Sequence, residues 1–450
     1  MALMLLSACT GASGDPASSQ SPTAPASPTS STSSVATIPQ PPAPEGIAVA
    51  SEDERVDLEM PTFSDPTNIT NPMFPVSRQA SVLMLGHVDG EPFRSEVMLL
   101  PETRIVEWEG ERVEVAVSQY NAFLDGRIEE IAYDLYAQAD DGSVWYFGED
   151  VFDFRDGTIV VTEGTWLAGR DGPAAMIMPG DPQPGDVYRT ENAPGFVFEE
   201  VTVRSVSERV RGPLGPIDGS MVASELHDDG TTERKLFAPG YGEFFTSDGK
   251  DVEALALAVP TDAEDRPLPD ELAKLTRRAL DAERSAGAGD WNAAAGAAAD
   301  VASSWKIARG GEVPRLIAPR LDAALEELTA AVRARAEARA RTGALEVARF
   351  GYDLQLRFRP VTEVNLARMD LWAAQLIADQ QVGDVGGVGS DAFALDYVRD
   401  RVRAALEPET LLQVNEALGT IQVAVVDEEL GPAAKAAERL RRIIGSTVAM

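Results

Sequence analysis

The chain has 450 residues, of which 73 are acidic and 39 are Lys or Arg, so its formal net charge at pH 7 is −34. Phosphate binding depends on Lys and Arg side chains that neutralise the nucleic-acid backbone, so this charge excludes a general nucleic-acid binder. The single cysteine, Cys9, leaves no intramolecular disulfide to stabilise the fold. The length is sufficient for two or three domains, each with its own core.

The chain begins with an apolar run, Met1 to Leu6, followed by Ser7-Ala8-Cys9. This pattern resembles a bacterial lipobox, in which the cysteine thiol receives a diacylglycerol and the chain is cut just before it. The resemblance implies that residues 1–8 are a signal peptide and that the protein is anchored through Cys9 at the extracytoplasmic face of the cell membrane. A complete signal peptide has a charged start and roughly 7 to 15 apolar residues, so we expect the true translation start to lie upstream.

Residues 10–45 consist almost wholly of Ser, Thr, Pro, Ala and Gly. Such a composition buries too little apolar surface to offset the entropy of ordering, which predicts a disordered tether over residues 9–50 with a span of roughly 30 to 35 Å. Residues 51–260 then hold 41 acidic and 15 basic side chains, a net charge of −26, whereas residues 261–450 have a net charge of −6. Anionic lipid repels acidic surfaces, so we expect the acidic region to face away from the membrane.

Residues 71–260 have the pattern of an antiparallel β domain. Short apolar alternations are separated by acidic-Gly pairs such as Asp125-Gly126 and Asp229-Gly230, which supply the positive φ angles that tight hairpins need. The pattern predicts a β meander, closed as a barrel or curved as a half-barrel. The predicted strands are 79–88, 93–100, 104–108, 112–117, 128–138, 144–147, 158–162, 196–206, 220–227 and 233–237.

The most distinctive part of this region is an aromatic hairpin, formed by Tyr133-Asp134-Leu135-Tyr136 and Val144-Trp145-Tyr146-Phe147. With the Glu163-Gly164-Thr165-Trp166 turn and the Phe237-to-Gly242 loop, it resembles an uncharacterised family of bacterial secreted proteins and lipoproteins. The resemblance extends over residues 71–260 and implies the same β domain, but no particular activity, because none is established for the family.

The hairpin also contains candidate ligand-binding residues. Its aromatic rings and carboxylates could form a sugar platform for a glycan hydrolase or lyase, or the rings could simply pack across the strands. The acidic turns could bind a divalent cation through oxygen ligands, although none has the spacing of an EF-hand loop; otherwise they are solvated turns. The candidates are Tyr133, Asp134, Tyr136, Trp145, Glu149, Asp150 and Trp166.

After Pro260 the pattern becomes helical and rich in alanine, which predicts a helical bundle over residues 262–446. The glycine-rich segment Gly383 to Gly389 is predicted to be a flexible loop that ends at a helix cap, Ser390-Asp391. The predicted helices are 270–287, 290–310, 315–341, 344–359, 361–381, 392–406, 409–427 and 433–444.

A second set of candidates lies around the predicted helix break at Pro360. Asp353 and Arg357 are four residues apart on one predicted helical face and could pair, and Arg368 and Asp370 follow the break. These four residues are either a polar ligand site inside the bundle or surface pairs that flank a loop. The segment resembles helical actinobacterial envelope proteins of unknown role.

Familiar catalytic and cofactor motifs are not found in the sequence. The two histidines, His87 and His227, are far apart, no Glu-x-x-His pair occurs, and there is no Gly-x-Ser-x-Gly elbow. We therefore predict no catalytic residues, no metal ligands and no cofactor. The sequence predicts an α+β multidomain, lipid-anchored protein that is a non-enzymatic binding module for an envelope protein or an amphiphilic ligand. The alternatives are a glycan-acting enzyme and a divalent-cation binder.

Overall fold

The structure, a computed structural model, describes residues 36–162 and 164–448, with side chains up to Ser446. An antiparallel β meander comes first and a helical region follows it, so the predicted α+β fold class is confirmed. Cys9, the predicted signal peptide and most of the predicted tether lie outside the described residues.

The strands join into one antiparallel sheet. Its hydrogen-bonded order is β6-β5-β4-β3-β2-β1-β14-β13-β12-β11-β10-β9, with β7 and β8 also paired to β5. The path is open, with β6 and β9 at its two ends. The strands are β1 Ser81–Val88, β2 Glu91–Trp108, β3 Glu111–Leu124, β4 Arg127–Gln138, β5 Val144–Arg155, β6 Thr158–Val161, β7 Trp166–Leu167, β8 Ala175–Met178, β9 Val187–Ala193, β10 Val197–Arg211, β11 Pro216–His227, β12 Thr232–Ala238, β13 Gly242–Ser247 and β14 Val252–Val259.

Most predicted strands are present, with differences that have local causes. The segments predicted at 93–100 and 104–108 form the single strand β2, which continues past Pro101 through an irregular register between Leu99 and Thr103. Strands β7, β8, β9, β13 and β14 were not predicted. Strand β14 lies in the middle of the sheet with both faces covered, so its sequence is a continuous apolar run instead of an alternation.

The helices are α1 Asp270–Gly287, α2 Trp291–Ala308, α3 Ile317–Ala334, α4 Glu337–Gln355, α5 Val361–Val382, α6 Val385–Val402, α7 Pro408–Val426 and α8 Leu430–Val448. The prediction of one helix over 315–341 was wrong, because Arg335 adopts a left-handed conformation (φ 53°) that ends α3 and lets α4 begin at Glu337. None of the helices in the described ranges combines the length and the apolar composition that a membrane crossing needs.

The prediction of a flexible glycine-rich loop was also wrong, because Gly383 ends α5 in a left-handed conformation (φ 74°) and the glycines from Gly386 onward lie in the first turns of α6. Asp384 caps the helix by accepting a hydrogen bond from the Gly387 backbone amide at 2.9 Å. A Cβ atom added at Gly389 would lie 2.6 Å from the Gly157 carbonyl oxygen in the β5–β6 turn. The glycines are therefore explained by the close approach of this helix to the sheet.

The helices pack against one face of the sheet. Leu83 and Leu257 share a core with α1, and Phe123 stacks on Trp372 of α5 with ring centroids 5.3 Å apart. We call the opposite face the inner face. The described residues also include the end of the predicted tether, where Ile38 is buried and the Ala50 amide donates to Glu200 Oε1 at 2.8 Å. The sheet and the helices belong to one compact unit that begins at Thr37, and their division into domains at 71–260 and 262–446 stays a prediction.

Candidate functional site

The inner face of the sheet carries an unusual number of buried carboxyl groups. Side chains alternate between the two faces of a strand, and acidic residues occupy inner positions on eight different strands. On β11 and β12, for example, Glu225 lies directly opposite Glu233, and Lys235 follows two residues later. We define the acidic inner face by its carboxyl groups, which are Asp134, Glu149, Glu191, Glu199, Glu225, Glu233, Glu243 and Glu253.

The sheet brings its two ends together at this face. Glu149 is on β5 and Glu191 is on β9, close to opposite ends of the hydrogen-bonded path, yet the Glu191 carboxyl donates a hydrogen bond to Glu149. The pKa of Asp134 on β4 is raised by burial and also by the charge of Glu243 on β13, so these two carboxyl groups lie near each other as well. The sheet therefore curls strongly, and the acidic side chains from its separate strands face one another.

A glycine explains how the aromatic hairpin contributes two carboxyl groups. Asp134 and Glu149 are paired across β4 and β5, and the register then shifts so that Tyr136 pairs with Tyr146. The extra residue lies near Gly148, which has a φ of 123° that L side chains rarely adopt. This bulge places Glu149 on the same face as Tyr146, whose hydroxyl donates to Asp134 Oδ1 at 3.0 Å.

Most of the aromatic rings of the hairpin belong to a hydrophobic core. Tyr136 stacks on Tyr146 with centroids 4.8 Å apart, and Trp166 meets Tyr146 edge-on at 5.3 Å. Trp145 packs beside Trp108 and donates from Nε1 to Ser143 Oγ at 2.8 Å. All of these aromatic side chains are buried.

Three of the predicted hairpin candidates point away from the inner face. The Tyr133 hydroxyl donates to Asp400 of α6 at 3.1 Å. Trp145 precedes the inward-facing Tyr146 on β5 and so lies on the other face. Asp150 forms an exposed ion pair with Arg104 at 2.6 Å. The structure therefore brings together Asp134, Tyr136, Glu149 and Trp166, and it separates them from Tyr133, Trp145 and Asp150.

Of the four candidates around Pro360, the structure brings together Asp353 and Arg368 and places Arg357 and Asp370 elsewhere. Asp353 does not pair with Arg357, because Asp353 accepts from Arg94 Nη1 at 2.7 Å and from Arg368 Nη2 at 2.6 Å. Arg357 instead lies 2.7 Å from Glu264, and Asp370 pairs with Arg441 at 2.8 Å. The predicted surface pairing is wrong for Asp353 and Arg368, since both are buried between the sheet and the helices.

Glu96 completes this buried network on the sheet side. It pairs with Arg94 at 2.6 Å and with Arg401 of α6 at 2.6 Å. Burial would raise the pKa of Glu96, but the charges of Arg368, Arg94 and Arg401 hold it well below its usual value. We call Arg94, Glu96, Asp353, Arg368 and Arg401 the interface network. Each of its five side chains forms at least one ion pair within the network, so we assign it to the joining of sheet and helices.

His227 lies within the acidic inner face, where the sequence analysis predicted no metal ligands. Its Nδ1 atom is 3.5 Å from Glu199 Oε1, and its Nε2 atom is 3.8 Å from Glu233 Oε2. Lys235 Nζ lies 2.6 Å from Glu225 Oε2. One ligand atom each from Glu199, Glu225 and His227 can be chosen so that all three lie within 4.8 Å of one another.

Burial is the main influence on the pKa values of this face. It raises the pKa of Glu149 to about 8 and that of Asp134 to about 6, and it raises that of Glu253 to about 7. Burial by itself lowers the pKa of His227, but the interaction with Glu199 and the charges of Glu225 and Glu233 outweigh it and raise that pKa to about 9. Glu149 and His227 of the acidic inner face therefore keep their protons at neutral pH.

Comparison of the chain with models of known protein families finds no match, and a search of curated proteins also finds none. Inference about function therefore depends on the chemistry of the site itself.

Proposed function

We propose that this protein is a lipid-anchored binding protein of the cell envelope whose acidic inner face takes a cationic ligand. The observation that carries the proposal is the imbalance of charge on that face. Eight carboxyl groups lie on that face, and the cationic groups among them in the described part of the chain are Lys235 and His227.

Such an imbalance is unfavourable for stability alone. A buried carboxylate without a partner costs several kcal/mol, and buried groups with strongly shifted pKa values are concentrated at functional sites. Protons relieve part of the repulsion, as the raised pKa values of Glu149 and Asp134 indicate. A cationic ligand would supply the same compensation, which favours the cation-binding alternative over an apolar ligand site.

The glycan-hydrolase alternative depends on access to two carboxyl groups. Asp134 and Glu149 are directly opposite each other, but Asp134 is completely buried and Glu149 is 8% exposed. A sugar ring needs far more open surface than a cation does. The geometry therefore favours binding, and the enzymatic alternative stays a prediction.

The proposal can be tested by calorimetric titration of full-length protein with three cationic probes, calcium, zinc and putrescine. We expect saturable binding of at least one probe, weakened at least about tenfold in the double variant Glu225→Gln/Glu233→Gln, because a tenfold change corresponds to only about 1.4 kcal/mol. The matched control is Glu111→Gln/Glu114→Gln, which changes exposed carboxylates on β3. No binding of any probe, or equal weakening in the control, would contradict the proposal.

The location is tested separately through Cys9. If Cys9 carries the lipid anchor, the wild-type protein is expected in the membrane fraction of producing cells, and Cys9→Ser is expected in the soluble fraction because the thiol is the acylated group. Thr10→Ser, which leaves the cysteine in place, is the control and should stay with the membranes. Membrane retention of Cys9→Ser would contradict the anchor.

A further inference from the structure

We infer that Glu199, Glu225 and His227 form a binding site for a divalent transition-metal ion, for which zinc is the test probe. The inference rests on the proposed function, because it names one cation and one place on the acidic inner face. It departs from the expectation from sequence that the chain has no metal ligands.

The antiparallel register brings the three side chains together. Glu199 on β10 lies directly opposite His227 on β11, and Glu225 is two residues before His227 on the same face. Ligand atoms about 2.1 Å from a tetrahedral ion are about 3.4 Å apart. The observed 3.5 Å between His227 Nδ1 and Glu199 Oε1 is close to that spacing, so these two side chains need little movement to share an ion.

Two buried oxygen atoms point into the cluster without hydrogen bonds. They are Glu199 Oε1 and Glu233 Oε2, on side chains that are 4% and 7% exposed. A buried acceptor without a donor is costly and rare in folded proteins. Glu199 Oε1 faces Nδ1 of His227 and Glu233 Oε2 faces Nε2. An ion held by Nδ1 would therefore satisfy Glu199 directly, and the imidazole proton would then be on Nε2, towards Glu233.

The surrounding groups favour an ordered site. The Thr190 hydroxyl donates to Glu199 Oε2 at 3.0 Å and leaves Oε1 facing the cluster. Such outer partners orient metal ligands. Glu225 is held by Lys235 Nζ at its Oε2 atom. Its Oε1 atom has only a long contact of 3.4 Å with the Thr190 hydroxyl, so Oε1 is the oxygen that we assign as the ligand.

The charges remain compatible with a divalent ion despite Lys235. With a neutral imidazole, the four carboxylates of Glu199, Glu225, Glu233 and Glu243 and the Lys235 ammonium have a formal sum of −3. A divalent ion brings that sum to −1. Lys235 therefore lowers the affinity of the site without abolishing its attraction for a cation.

The donor set determines the class of metal. Calcium and magnesium prefer oxygen ligands alone, whereas imidazole together with carboxylates suits zinc and related first-row ions. The His227 side chain is 15% exposed and borders the exposed Asp228-Asp229 turn. A small ion can therefore reach the cluster from that side.

The test uses full-length protein treated with a chelator and then titrated with zinc, with cobalt as a spectroscopic substitute. We expect one zinc ion per chain and visible cobalt absorption bands that indicate nitrogen and oxygen ligands. His227→Gln should weaken zinc binding by at least the roughly 10- to 100-fold that loss of an outer partner costs. His87→Gln is the matched control, because His87 is the other histidine of the chain and is exposed.

A variant that fails to fold would not decide the question, so circular dichroism and melting temperature accompany each titration. Glu199→Gln, which has nearly the same shape, should also weaken zinc binding. The inference is overturned if wild-type protein binds no zinc, or if a folded His227→Gln variant binds it as tightly as His87→Gln does. Binding of calcium or putrescine without zinc would overturn this inference alone, whereas no binding of any probe would overturn the proposed function as well.

Discussion

Asp353→Ala is expected to lower the free energy of unfolding by about 3 to 5 kcal/mol, the usual cost of breaking a buried ion pair. The Asp353 side chain is fully buried and accepts hydrogen bonds from Arg94 and Arg368. Its removal leaves three buried guanidinium groups, those of Arg94, Arg368 and Arg401, with Glu96 as the remaining carboxylate of the interface network. An uncompensated buried charge is the physical reason for so large an effect.

Urea denaturation followed by circular dichroism measures this change. The matched control is Asp370→Ala, on the neighbouring helix α5, because Asp370 pairs with Arg441 at a partly exposed position. Arg441 can then reach water, so the control should lose no more than about 1 kcal/mol. Equal losses in the two variants would show that an uncompensated charge in the interface network costs no more than a broken ion pair at a partly exposed position.

The sequence was sufficient for features that depend on local patterns. Acidic-Gly turns such as Asp125-Gly126 and the short apolar segments of β1 and β4 predicted the meander, and Asp290 correctly predicted the start of α2. Local patterns failed where tertiary packing decides the outcome. The glycines of α6 look like a loop in sequence, but they permit the close approach of the helix to Gly157.

The candidate site shows the same limit. Glu225 and His227, and then Glu233 and Lys235, occupy alternate positions on the two sides of the Asp229-Gly230 turn. A charged residue at every second position of a predicted hairpin is a signal that could have indicated a polar face. No local pattern could pair Asp353 with Arg94, which is 259 residues away, or bring Glu149 to Glu191 across the two ends of the sheet.

The stability of the protein is expected to fall as the pH rises from 5 to 9. The pKa of Glu149 is about 8 in the folded protein because of burial, against an ordinary value of 4.5, and that of His227 is about 9 against 6.5. A group whose pKa is raised by folding contributes stability that is full below its unfolded pKa and is lost as the pH rises through its folded pKa. The window is therefore about pH 4.5 to 8 for Glu149 and about pH 6.5 to 9 for His227.

Groups with lowered pKa values do not reverse this trend in the same window. Interactions with His227 and Lys235 overcome burial and lower the pKa of Glu199, and arginine charges lower that of Glu96. The stability that these two groups contribute is present above their ordinary pKa of 4.5 and is lost only as the pH falls further. Between pH 5 and pH 9 they stay ionised, and the loss from Glu149 and His227 dominates.

Glu149→Gln separates this local effect from the general repulsion of a chain with a net charge of −34. The amide stays neutral at every pH and its oxygen can still accept from Glu191, so the variant should lose less stability between pH 5 and pH 9 than the wild type. The difference is expected to be on the order of a few kcal/mol, since each pKa unit corresponds to about 1.4 kcal/mol. Glu111→Gln removes an exposed charge. In urea denaturation at pH 5 and pH 9, this control should lose as much unfolding free energy between the two pH values as the wild type does. If Glu149→Gln loses as much stability as the wild type, the buried Glu149 carboxyl is not a source of the pH dependence, which then comes from His227 or from net charge.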